Sequence, residues 1–71
     1  MLVLDIIGQE INIGDDVVLW DGYGVHKVKL VKETKLSVGY FVYDYNTSKL
    51  QENYIYWTRK SAIPFRNMYK I

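Results

Sequence analysis

Apolar residues in this chain recur at every second position or in short β-branched runs, and glycine, aspartate and asparagine break the runs at short intervals. That spacing predicts strands throughout. Met1 to Ile7 is almost wholly apolar, with Asp5 its single charge, and reads as a first strand ending at a Gly8-Gln9 turn. Ile11 and Ile13 alternate into Gly14-Asp15-Asp16, a turn that leads into a second strand over Val17-Val18-Leu19-Trp20. Asp21-Gly22 is a short-range hairpin signal, lengthened by Tyr23-Gly24. A third strand follows from Val25 to Glu33, where Lys27-Val28-Lys29-Leu30 sets lysines on one face and aliphatics on the other.

Lys35 to Ser37 interrupts the pattern, and Val38 to Tyr45 resumes it as a fourth strand with no good helix former in it. Val38, Tyr40 and Val42 share one face of that strand, and Phe41, Tyr43 and Tyr45 share the other. Asp44 to Ser48 is turn chemistry. Two readings of residues 48–58 stand. Leu50 to Thr58 can pair back as a fifth strand, with Ile55 and Trp57 opposite Tyr54 and Tyr56. Ser48 and Gln51 can instead cap a helix through Leu50, Tyr54 and Trp57, although Tyr-Ile-Tyr-Trp-Thr is poor helix material. Arg59 to Ile63 reads as a short turn or one 3₁₀ turn ended by Pro64, and Phe65 to Ile71 as a last short strand.

Seventy-one residues make one domain, residues 1–71, with a small core. Without cysteine and with a single histidine, neither a disulfide nor a Cys/His zinc site can be assembled. Stability has to come from packing or from self-association. Packing material is available, since 49% of residues are apolar and eleven are aromatic. The first residues carry acids instead of the basic stretch of a signal peptide, and no apolar run reaches membrane-spanning length, so the expected compartment is cytoplasmic. The net charge of +1 hides a gradient: residues 1–24 carry −5 and residues 25–71 carry +6. Such asymmetry hints at a polyanion-facing side.

The run Ile11-x-Ile13-Gly14-Asp15-Asp16-Val17-Val18, leading into Gly22, Gly24, Val25 and a lysine-bearing strand, resembles the SH3-like barrels, and the KOW type most. The resemblance covers about twenty residues by motif and the rest by strand count. It implies a small barrel of five to six antiparallel strands that works by surface contact. The compact, cysteine-free chain, rich in tyrosine and lysine, also resembles the small accessory proteins of tailed bacteriophages. One departure matters. The glycine loop reads Trp20-Asp21-Gly22-Tyr23, acidic and aromatic where the family has small or basic residues, which turns phosphate contact away from the loop and onto the strand.

Enzymatic readings find little material. Asp15-Asp16 are adjacent acids on one turn, whereas acid/base pairs converge from separate elements. His26 has no second ligand or thiol partner, and its alternation with Val28 and Leu30 places it at the end of an inward face. No catalytic, metal or cofactor site is expected. Lys27, Lys29, Lys32, Arg59, Lys60 and Arg66 can contact phosphates, while Tyr43, Tyr45, Tyr54 and Tyr56 can stack on bases, the combination that suits single-stranded nucleic acid. The first expectation is therefore a non-enzymatic module in weak, non-specific contact with RNA or DNA. The alternative is a protein-interaction module, such as a phage-encoded modulator of a host protein, using Asp15, Asp16, Trp20, Asp21 and Tyr23. A homodimer through the aromatic face is compatible with either.

Overall fold

The structure is a computed structural model that describes residues 3–4, 7–20, 24–62 and 68–71. Among the described residues seven strands run β1 (Val3–Leu4), β2 (Glu10–Ile11), β3 (Asp16–Trp20), β4 (Val25–Glu33), β5 (Ser37–Tyr43), β6 (Leu50–Arg59) and β7 (Met68–Lys70), and one 3₁₀ turn covers Lys60–Ala62. Residues 50–59 are strand, which decides against the helical reading. The Asp21-Gly22-Tyr23 loop, the Pro64 stop and Arg66 fall outside the described residues.

β3, β4, β5 and β6 form an antiparallel meander, and β7 returns to pair with β3, giving a five-stranded sheet in the order β6-β5-β4-β3-β7. β1 and β2 make a separate two-stranded ribbon. Among the described residues nothing pairs with the outer edges of β6 and β7, so the sheet is open where a closed barrel was expected. Two register irregularities bend it, one between Leu30 and Lys32 on β4 and one between Tyr40 and Val42 on β5. Bulges of this kind add twist and re-aim side chains.

The core lies on one face. Val17, Val28, Leu30, Val38 and Met68 are buried there with Ile11 of the ribbon, and Leu19, Tyr40 and Val42 pack against them. The pairings explain the grouping: Val17 faces Val28, Val28 faces Val42 and Leu30 faces Tyr40, so alternation on three strands points the same way. Each buried aliphatic contributes about 1.5–3 kcal/mol. The ribbon is tied to the last strand, since Gln9 Nε2 donates to the Lys70 carbonyl at 3.4 Å and Lys70 Nζ donates to the Glu10 carbonyl at 3.2 Å. Gly14, at φ 99°, makes the turn that enters β3, and its N–H donates to the Leu30 carbonyl at 2.7 Å.

Candidate nucleic-acid interface

The expected binding residues divide between the two faces of the sheet. Tyr56 stands opposite Tyr40 across β5 and β6 and therefore takes the core side. The two rings stack with centroids 5.8 Å apart, and Tyr54 meets Tyr56 edge-on at 4.7 Å. Leu19, His26, Tyr40, Val42 and Tyr56 line a depression of about 200 Å³ on this face, which puts His26 on the inward side as its alternation predicts. That volume falls below the roughly 300–1,000 Å³ of small-molecule sites. Tyr54 and Tyr56 thus extend an aromatic cluster along the core side and stand apart from the lysines of β4.

Lys27 and Lys29 lie on the outer face, where each already has a partner. The Lys27 ammonium sits 4.6 Å from the centre of the Tyr43 ring. Lys29 pairs with Asp16 at 3.4 Å. Tyr43 completes the network by donating its hydroxyl to Asp16 Oδ1 at 2.7 Å. That hydrogen bond, followed by the nearby lysines, holds the Asp16 carboxyl below its ordinary range despite partial desolvation. The same bond to the carboxylate, with burial, pushes the Tyr43 hydroxyl up. Tyr43 is therefore a structural partner whose hydroxyl is committed. The acidic set of the alternative reading is also engaged internally: Asp15 accepts the Asn12 N–H at 2.8 Å and pairs with Lys70 at 3.4 Å. Trp20 is 51% exposed at the end of β3, and Asp21 and Tyr23 lie outside the described residues.

Lys32 reaches the outer face for a different reason. Strict alternation from Leu30 would send Lys32 inward, but the bulge at Val31 shifts the register so that Lys32 stands opposite Gly39. Gly39 in turn stands opposite Trp57. A Cβ built on Gly39 would lie 2.7 Å from Ile55 Cδ1 and 3.2 Å from Trp57 Cη2, so both side chains lie across the glycine. A larger residue there would make them shift. The far end of the indole is over β5, which directs the ring toward β4 and Lys32, and Trp57 keeps 46% of its surface exposed.

One pair further along the same face, Arg59 stands opposite Ser37. Lys35, Leu36, Ser37, Arg59, Lys60 and Ser61 line a depression of about 440 Å³ where the β4–β5 turn meets the 3₁₀ turn, whose Lys60 N–H donates to the Leu36 carbonyl at 2.9 Å. Lys60 pairs with Glu33 at 2.6 Å, whereas Lys32, Lys35 and Arg59 have no carboxylate partner among the described residues. Tyr45 is 95% exposed on the Asp44–Lys49 turn, at the opposite end of β5 from this cluster. The structure thus gathers Lys32, Arg59 and Lys60 at one end of the sheet with Trp57, Gly39 and Lys35, three residues that the aromatic and lysine pattern did not single out. A glycine inside a strand was the available signal, because it marks a place where something approaches the backbone closely. No helix among the described residues is long and apolar enough to cross a membrane, and no three metal-ligating side chains cluster among them. No family model, curated relative or solved structure matches the chain.

Proposed function

We propose that this protein is a non-enzymatic binding module whose outer sheet face makes weak, sequence-tolerant contact with single-stranded RNA or DNA. The observation that carries this reading is the Trp57 indole laid across Gly39, half exposed, with Lys32 opposite that glycine, Arg59 two residues further on, and no carboxylate paired with either among the described residues. An exposed indole face stacks with any base, contributing about 1–3 kcal/mol per base, and flanking cations hold the backbone. The reading moves the stacking role from Tyr43, Tyr45, Tyr54 and Tyr56 to Trp57, and the phosphate role toward Lys32, Arg59 and Lys60. A meander whose last strand returns to its first, bent by two bulges, supports a relation to the SH3-like, KOW-type modules that the Ile11–Val25 motif resembles.

The protein-interaction alternative draws less support, because Asp15 and Asp16 are already paired within the chain. The test is the anisotropy of a fluorescent single-stranded oligonucleotide titrated with protein at several salt concentrations. If three phosphates are contacted, log affinity falls against log salt with a slope of about −2. Lys32→Ala with Arg59→Ala should weaken binding at least tenfold and flatten that slope. A salt-independent signal, or none at micromolar protein, would overturn the proposal.

A further inference from the structure

The depression beyond Trp57 has more positive charge and more donors than a bridging phosphate can use, and from this we infer that it receives the terminal phosphate of the strand, a phosphomonoester. The inference rests on the nucleic-acid reading above and deepens it. Lys35, Arg59 and Lys60 line the depression, and Glu33 on Lys60 is the one carboxylate paired with them, so an excess of two positive charges is left among the described residues. A phosphodiester carries one negative charge and two free oxygens. A phosphomonoester carries about −1.5 to −2 near neutral pH and presents three strong acceptor oxygens. The donors match the second ligand: the guanidinium fork of Arg59, the ammonium of Lys35, the N–H groups of Lys60 not directed at Glu33, and the hydroxyls of Ser37 and Ser61.

Placement supports the same ligand. Arg59 and Ser37 are one residue pair beyond Trp57 and Gly39 on the same face, about 6.6 Å along the strand, within the reach of a single nucleotide from base to phosphate. The depression lies where the sheet ends, bounded by the β4–β5 turn and the 3₁₀ turn. A strand whose last base stacks on Trp57 ends there. The volume of about 440 Å³ leaves room for the phosphate with its bound water.

The experiment compares one short oligonucleotide in three forms: a phosphate at the 5′ end, a phosphate at the 3′ end, and hydroxyls at both ends. Each is titrated against the full chain with tryptophan quenching as the signal. One phosphorylated form should bind about tenfold more tightly than the hydroxyl-ended strand, the gain of two charge-assisted hydrogen bonds at the reduced strength of an open site. Lys35→Ala with Ser61→Ala, two exposed positions, should bring all three forms to the same affinity, and millimolar inorganic phosphate should remove the preference without displacing the strand. Equal affinities for all three forms on the unaltered protein, each with quenching, would overturn the terminal-phosphate site and leave the proposed function standing. A preference that survives the double substitution would place the phosphate elsewhere and overturn the site as well. Absence of binding by every form would overturn both.

Discussion

Gly39 and Tyr43, four positions apart on β5, set the character of the outer face in opposite ways. Gly39 contributes by having no side chain. A methyl there would overlap Ile55 Cδ1 and press on the Trp57 ring, so Gly39→Ala makes the Ile55 side chain shift and the indole give way. The expected cost is about 1–3 kcal/mol, read as a lower urea midpoint, with a change in Trp57 emission as the ring moves. Unchanged stability and emission would mean that Ile55 and Trp57 move aside freely. Tyr43 contributes through its hydroxyl, which bonds the Asp16 carboxylate at 2.7 Å. Asp16 titrates below its ordinary 3.8, so its part of the bond is fully present above that pH and is lost as pH falls through the depressed value. Tyr43 titrates above its ordinary 10.0, so its part is fully present below that pH and is lost as pH rises through the raised value. Tyr43→Phe should lower stability by about 1 kcal/mol between these limits and converge with the unaltered protein in strong acid. A constant difference down to pH 2 would contradict that role.

At the scale of elements, β4 and the turn after β5 show what the sequence discloses and what it conceals. The turn was legible, because Asp44 followed by Asn46-Thr47-Ser48 has side chains that bond local backbone. In the structure Asp44 Oδ1 accepts the N–H groups of Asn46 at 2.7 Å and Thr47 at 3.0 Å, which lets Ser48 take φ 60°. Those bonds, Thr47 first, hold the Asp44 carboxyl below 3.8. In an NMR pH titration the amide resonances of Asn46 and Thr47 should therefore move together with a midpoint below 3.8, and Asp44→Ala should speed hydrogen exchange at both. A midpoint at 3.8 or above would mean the turn is open in solution. The Val25–Glu33 strand was equally legible from its alternating lysines and aliphatics, and so were the two faces of β5. The face of Lys32 was not, because alternation cannot foresee an extra residue at Val31. The grouping of tyrosines failed for a related reason: which side of β6 meets the core is fixed by pairing Tyr56 with Tyr40, a long-range contact that no local pattern states.

Over the whole molecule, a net charge of +1 argues against strong long-range attraction of a polyanion, so affinity for nucleic acid has to arise from local arrangement. On the proposed reading it comes from charge compensation within the chain. Lys29, Lys60 and Lys70 are neutralised by Asp16, Glu33 and Asp15, while Lys32, Lys35 and Arg59, which have no carboxylate partner among the described residues, collect at one end of the sheet. The acidic N-terminal third and the basic remainder read from the sequence do not become two halves, since Asp16 lies between Lys29 and Tyr43 on a shared face. The radius of gyration, 11.3 Å, is close to the roughly 11 Å of a folded chain of this length, so the open sheet comes without loss of compactness. The most direct test of the central claim is Trp57 fluorescence in a Trp20→Phe background, titrated with a single-stranded oligonucleotide at low and high salt. The account predicts quenching that saturates at low salt, shifts to weaker affinity as salt rises and is lost in Lys32→Ala with Arg59→Ala. Emission that stays unchanged while a labelled oligonucleotide binds would show that the strand lies elsewhere on the molecule and would contradict the account.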